Sequence, residues 1–435
     1  MAHFCGIDFG TSNSVVTLVQ ETATGRDVPL VSREPSLMFF AEDAESTATR
    51  YCGRRALERY IASGMRGRFF QSVKSILPDP GFTVTRVNGK PFRAEDLVAV
   101  MLRYLREEAE LLAGVPITRA AIGRPARFSD DPDRERSAQD RLELAVSKAG
   151  FTDAVYELEP VAGAYAYAAG PSASFAAGAA GSPGEGVVFV ADHGGGTSDF
   201  TIMELSTDAA GRPTAQSVLA THGIRAGGDD FDGAIMWNRL VDQFGHGSNF
   251  ESFGKLLPVP VHIFHIISRW DQIHFLKTLS YREELRTYLA SSDNPIAIRR
   301  LIKLVEEDLG YFVFRAIESA KIDLSSSPES TVDYENGKLR IHERLTRQEF
   351  DAYIGDYIAR IGEAVDATLE RACEARGGPM EIDAVFMTGG SARVPAVRDV
   401  LVSRFGEDRI IDDADQFQSV SRGLALVARD RGLAN

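Results

Sequence analysis

The sequence predicts an α/β protein made of two similar halves, and three observations carry this expectation. Short β-rich runs end at glycine or turn residues, and they alternate with long amphipathic stretches, the pattern of helices layered on sheets. A short motif also returns. Asp8-Phe9-Gly10-Thr11-Ser12 is echoed far downstream by Asp192-His193-Gly194-Gly195-Gly196-Thr197-Ser198. Each copy closes one β-rich run and opens another, so the echo predicts a duplicated fold whose halves face a common ligand.

Taken in order, residues 4–9 and 14–19 read as two strands around Gly10-Thr11-Ser12-Asn13, a loop whose Gly and Asn supply the dihedrals of a tight turn. Residues 120–122, 187–191, 200–205 and 384–387 read as further strands. The stretch 95–112 sets Leu97, Met101, Tyr104, Leu105, Glu108 and Leu111 at three- and four-residue intervals, which predicts an amphipathic helix with one acid on its apolar stripe. Residues 347–371 predict another, with Thr346 as N-cap and Glu349 three residues on. A last helix is expected near 419–429. Residues 170–186 are rich in Ala, Gly and Ser and form the best linker candidate.

At about 150 residues per domain, a chain of 435 residues holds roughly three units or one large two-lobed body. Its 44% hydrophobic and 25% charged residues exclude disordered and collagen-like classes. Against 62 Asp and Glu stand 48 Lys and Arg, a formal charge of -14 that repels phosphate backbones and anionic lipid. Neither nucleic acid nor a membrane is therefore expected as a partner. The three cysteines, Cys5, Cys52 and Cys373, form no Cys-x-x-Cys pair and no disulfide framework, which predicts a reducing, cytoplasmic location. No secretory signal is expected at the N-terminus. Nor is a membrane span: the uncharged stretch 160–184 is interrupted by Pro171 and Pro183, and 256–268 is too short.

Glycine-rich loops suit phosphates because several backbone N–H groups can point at one anion where no Cβ blocks the approach. Gly10, Thr11, Ser12 and Asn13 are assigned to one part of a polyphosphate, and Gly194, Gly195, Gly196 and Thr197 to another. Either loop alone is equally an ordinary turn; their repetition favours the ligand. Asp8, Asp192 and Asp199 beside these loops would repel phosphate unless a divalent cation lay between, and magnesium, held through its hydration shell, supplies one. A turn hydrogen bond is the alternative role for each Asp. A third segment, 385–395, is a strand, the turn Gly389-Gly390-Ser391, then Arg393 and Pro395 at a helix start.

In this order the three segments resemble the ATPase domain of the 70-kDa heat-shock chaperones, within the actin and sugar-kinase superfamily. Residues 7–12 are similar to that family's first phosphate loop, 192–199 to the second, and 389–395 to the adenosine loop. Glu159-Pro160, Gly227-Gly228-Asp229-Asp230-Phe231-Asp232 and the segment 317–325 resemble further family motifs. The resemblance implies a duplicated actin-like ATPase fold, two lobes around a central nucleotide cleft, and ATP or ADP bound with Mg²⁺. Lobe I is expected at 1–184 with an inserted subdomain at about 33–113. Lobe II is expected at 185–435, with an enlarged insertion at about 228–341 and a C-terminal helix at about 418–430. It further implies that Thr11, Ser12, Gly195, Gly196 and Thr197 hold phosphates, that Asp8 and Asp192 hold hydrated magnesium, and that Glu159 reaches the magnesium shell. Thr197 and Asp199 would position the attacking water, and Glu318, Lys321, Ser325, Gly390, Ser391 and Arg393 would hold the nucleoside. Gly227, Gly228 and Asp229 complete the expected nucleotide-binding set.

Several positions depart from the family pattern. The resemblance calls for a lysine after a Gly-x-x-Ala segment, but Gly53-Arg54-Arg55-Ala56 is followed by Leu57. A missing cation at a developing charge costs about two to three orders of magnitude in rate, so slow hydrolysis is expected. Arg54, Arg55 and Lys74 are substitutes, although each reads by default as an exposed charge. Ile322 replaces the arginine that stacks on adenine, and His193, in a normally apolar place, is expected to be a satisfied core histidine. The insertion, including 256–270, resembles YegD-like stand-alone members and is expected to build local core more than a partner surface. A metal site from His262, His265 and His274 is not expected, because one helix does not put all three on one face. With the sequence ending at Asn435, no β-rich peptide-binding domain is expected. The function expected is a slowly hydrolysing, chaperone-like ATP-binding protein with protein clients or co-chaperones. A non-hydrolysing nucleotide-binding scaffold and a small-molecule kinase are the alternatives.

Overall fold

The run His3–Asp8 forms strand β1, and its near-continuous apolar character follows from cover on both faces: Phe4, Cys5 and Ile7 are all buried. The structure is a computed structural model that describes residues 2–20, 28–42, 50–63, 66–129, 131–168, 184–207, 213–270, 272–337, 339–411 and 418–435. They fall into two compact units, one of residues 1–225, 362–392 and 401–435, the other of 226–361 and 393–400. The linker candidate lies outside the described residues up to 183, and its last residues, 184–186, are already in a strand.

The first unit holds two five-stranded sheets with one topology. In the first, β1 pairs antiparallel with β2 (Asn13–Gln20), which pairs with β3 (Val28–Pro35); on its other side β1 runs parallel to β4 (Arg119–Arg124), and β4 to β5 (Asp153–Leu158). In the second, β6 (Gly184–His193) pairs antiparallel with β7 (Ser198–Thr207), which pairs with β8 (Pro213–Ile224). On its other side β6 runs parallel to β9 (Ala384–Thr388), and β9 to β10 (Ile410–Ile411). The two echoed motifs therefore leave equivalent central strands, β1 and β6. The fold is α/β and duplicated, as its sequence pattern predicts.

Helices cover both sheets. Helix α1 (Ala94–Ala113) spans the predicted stripe, and Leu97, Met101 and Leu105 pack with Cys5, Ile7, Val16 and Leu18 on one face of the first sheet. Helix α2 (Pro132–Ala149) adds Leu142 and Val146 to the same core. Helix α3 (Glu159–Ala168) follows β5, yet its Val161 and Ala164 pack on Val188, Val190 and Met203 of the second sheet.

In the second unit, α4 (Gly228–Ile235) is tied to α5 (Gly310–Leu324) by the buried Lys321, whose ammonium donates to Asp232 Oδ2 at 2.9 Å and to Gly228 O at 3.0 Å. Helix α6 (Arg347–Arg376) starts with the expected capping box: Thr346 N donates to Glu349 Oε2 and Glu349 N to Thr346 Oγ1. The insertion divides between core and surface. Ile263, Phe264 and Ile267 are buried, whereas Phe253, Leu256 and Leu257 stand exposed on a hairpin of Asn249–Ser252 with Lys255–Pro258. His265 stacks on Trp237 at 4.2 Å and His262 faces Tyr281; the side chain of His274 lies outside the described residues.

Helix α7 (Ser419–Asp430) follows β10 and packs through Val420, Leu424 and Val427 on Phe4, Val19 and Ala121 of the first sheet. The helix after each sheet thus covers the other sheet. Where they cross, glycine is required: a Cβ on Gly423 would lie 1.7 Å from Ala162 O, and one on Gly6 of β1 would lie 2.2 Å from Ser421 O. No described helix is long and apolar enough to cross a membrane.

Candidate functional site

The first loop, between β1 and β2, is held from below by Ser36. Its hydroxyl donates to Gly10 O at 2.7 Å, its N–H to Ser12 O at 2.9 Å, and it shares a hydrogen bond with Ser14. A Cβ on Gly10 would sit 2.0 Å from Asn13 O, so this tight turn takes only glycine there. The second loop is closed by Gly194 N donating to Thr197 O at 2.9 Å, and Ser391 Oγ donates to Gly194 O at 2.9 Å. At Gly389, φ is +86° and a Cβ would press to 2.3 Å from His193 O and 2.7 Å from Asp192 Oδ1. The third glycine turn therefore backs directly onto the second loop.

Asp192 and Asp199 are register partners across the β6/β7 hairpin, and their neighbours His193 and Ser198 point to the opposite face. Thr197 Oγ1 donates to Asp199 Oδ2 at 2.9 Å, and Gly223 of β8 leaves room for that carboxylate, which a Cβ would approach to 2.5 Å. His193 is buried as expected and bonds Ser198 Oγ through Nδ1 at 2.8 Å, but its Nε2 has no partner and so it is only half satisfied. Burial pushes its pKa down to about 4.

Glu159, the first residue of α3, is buried and meets Lys74 Nζ at 2.5 Å. This corrects the expectation that Lys74 is an exposed charge, since only 12% of its side chain is accessible; Arg54 and Arg55 are exposed, and Arg54 pairs with Glu34. Burial opposes the charge on Lys74, but Glu159, Asp8 and Asp192 outweigh it and hold the ammonium above its usual range. Burial pushes Asp8 up to about 7, helped by Glu159 and opposed by Lys74. It pushes Asp199 up to about 6, against the Thr197 hydrogen bond. Asp192 is raised well above the carboxylate range by burial and then by Glu159, Asp199 and Asp8.

Four carboxylates thus surround one lysine, a charge set that fits a divalent cation. Among the described residues no three acidic, histidine or cysteine side chains are placed to ligate one ion directly; a cation here would meet these carboxylates through its water. Of the residues expected at the site, Asp8, Gly10, Thr11, Ser12, Asn13, Glu159, Asp192, Asp199, residues 194–197 and Gly389, Gly390 and Ser391 belong to the first unit. Gly227, Gly228, Asp229, Glu318, Lys321, Ser325 and Arg393 belong to the second. There Lys321 is engaged with Asp232, and Glu318 accepts from Arg315 at 2.5 Å. Burial raises Asp232 to about 7 although Lys321 opposes it. Sequence reading underrated Lys74 and missed Ser36. Neither carries a motif, and only the flanking Val73 and Leu77, both buried, hint that Lys74 is drawn inward.

The family model described as Hsp70 protein matches residues 41–253 and 311–429, well over half of the chain. The chain belongs to the Hsp70 family. Residues 254–310, with the exposed end of the hairpin, lie outside the Hsp70 match. Among curated proteins the chain is 28% identical over 443 aligned positions to the chaperone protein DnaK of Thermus thermophilus, with the same figures for the proteins of two strains of that organism. Each alignment covers 94% of this chain and 58% of the relative, so the chain spans little more than half the length of these Hsp70 proteins.

Proposed function

We propose that this chain binds ATP with magnesium and hydrolyses it as a chaperone-like switch. The observation that carries this reading is the placement of Asp8 and Asp192 at the ends of equivalent strands in two sheets of one topology, each followed by a glycine turn. Backbone N–H groups of both turns, with Thr11, Ser12 and Thr197, hold phosphate oxygens. Asp8 and Asp192 hold the hydrated cation, which when bound neutralises phosphate charge. Thr197 and Asp199, already hydrogen-bonded, orient the attacking water, and positioning and charge neutralisation dominate such chemistry. Lys74 supplies the cation that Leu57 does not, so the loss expected from Leu57 is offset.

Glu318, Lys321 and Ser325 are the second unit's candidates for the nucleoside. The division into lobes 1–184 and 185–435, the YegD-like subtype, a cytoplasmic location and protein clients or co-chaperones belong to the same reading. Phosphate release from ATP with purified protein tests it. Thr197→Ala is expected to lower turnover by about two to three orders of magnitude, as loss of one positioned donor does, while ATP still binds. Tight ATP binding with no turnover in the unaltered protein would favour the non-hydrolysing scaffold; transfer to a metabolite would favour the kinase.

A further inference from the structure

Lys74 sits on a poor support. It belongs to a single 3-10 turn, Val73–Ile76, entered through Ser72 at φ +54°, and such a turn is too short to hold its own geometry. The turn is clamped from α2. One guanidinium nitrogen of Arg141, Nη1, donates to three carbonyls at the turn's C-terminal end: Leu77 O at 2.8 Å, Asp79 O at 3.0 Å and Ile76 O at 3.4 Å. At the other end Ser75 closes on Ser72 O through both its N–H, at 3.0 Å, and its hydroxyl, at 2.7 Å. Val73 and Leu77 are buried on either side of Lys74 and fix the turn against the core.

We propose that Arg141 is the positioning residue for Lys74: by gathering three carbonyls at the end of the turn it fixes the turn so that the ammonium reaches Glu159. A cation at the C-terminal end of a helical turn also complements the partial negative charge of its carbonyls. Arg141 is on another helix and touches neither loop nor carboxylate, so its action on the site runs through Lys74. The catalytic consequence rests on the ATPase reading; the geometric one does not.

The test uses the full chain in two arms. In the first, an amine-acylating reagent is applied and labelling of Lys74 is mapped by peptide mass spectrometry, normalised to Lys148, which lies on α2 with an accessible side chain. Lys74 is expected to be protected in the unaltered protein and in Arg136→Ala, an exposed arginine of α2 paired with Asp133. It is expected to label severalfold faster in Arg141→Ala and to an intermediate extent in Arg141→Lys, which keeps the charge but carries it as a compact point on a flexible stem without the rigid planar guanidinium. Arg141→Lys also serves if the alanine variant does not fold. Unchanged Lys74 labelling in a folded Arg141 variant overturns the proposal.

In the second arm, phosphate release is compared for Lys74→Ala, Arg141→Ala and the double variant. Arg141→Ala is expected to lose about a hundredfold in kcat, the usual effect of a misplaced catalytic group, with KM nearly unchanged and no further loss in the double variant. If Lys74→Ala leaves turnover intact, the catalytic part given to Lys74 fails while the labelling result still decides the clamp; if the unaltered protein releases no phosphate, the ATPase reading itself fails. If Lys74→Ala slows turnover and Arg141→Ala does not, the clamp fails alone.

Discussion

Asp8 and Asp199 carry pKa values near 7 and 6 because burial, reinforced by Glu159, disfavours their charge. A carboxyl whose folded pKa lies above its unfolded value binds more protons when folded, so it adds stability as pH falls from about 7 toward 4 and withdraws it as pH rises. His193 works the other way, since a folded pKa near 4 costs stability once pH drops below the unfolded value of 6.5. The two slopes oppose each other between pH 6.5 and 4, so a variant resolves them better than the parent does. Asp8→Asn is expected to stabilise the ligand-free protein at pH 7.5 by on the order of 1–2 kcal/mol, seen as a higher melting temperature, and to do so less at pH 5.5. Thermal melts at the two values check this, and an equal gain at both would show that Asp8 is an ordinary exposed carboxylate. The same protons compete with a cation, so magnesium-dependent nucleotide binding is expected to weaken as pH falls through 7.

At the scale of elements, helices α3 and α7 each leave one sheet and cover the other, and they pass where Gly423 meets Ala162. Backbone at that distance cannot yield as a side chain tip can, so Gly423→Ala is expected to destabilise by about 3 kcal/mol or more, the upper range for an overpacked core. Gly377→Ala, where a Cβ meets nothing, loses only the ease of its positive φ and serves as the milder comparison in urea melts. Little of this crossing was legible in the sequence. Strands β1, β2, β6 and β7 were, because short apolar runs ending at glycine turns are local signals, and the Asp8 and Asp192 echo survives as equivalent strand ends. Helix α1 was legible through its stripe. Lys74 was not, because its burial is decided by Ser72 next door and by Arg141 on a helix remote in sequence. Gly6 and Gly423 show their reason only once the layers are stacked. The half-satisfied His193 was half legible: alternation placed it away from the loop, but nothing local shows that Nε2 finds no partner.

For the whole molecule, the duplicated sheets place both glycine turns, the carboxylates and Lys74 in one unit, in a chain whose net charge of -14 repels a bare triphosphate. Nucleotide binding should therefore depend steeply on a divalent cation, and a ligand that binds only the folded form raises the melting temperature with the logarithm of its concentration over Kd. With ATP and magnesium at about 100 times Kd the gain corresponds to roughly 2.7 kcal/mol. ATP with a chelator should give little, since four carboxylates are then left facing phosphate against a single ammonium. GTP with magnesium should approach ATP more closely than a stacked arginine would allow, because the side chain at that place is Ile322, apolar and 60% exposed, and offers no cation-π contact worth about 0.5–2 kcal/mol. Melts with ATP, ADP and GTP, each with and without magnesium, read all of this in one experiment. A rise with ATP that ignores magnesium would contradict the part given to Asp8 and Asp192, and no rise with any nucleotide would remove the phosphate reading of the paired turns.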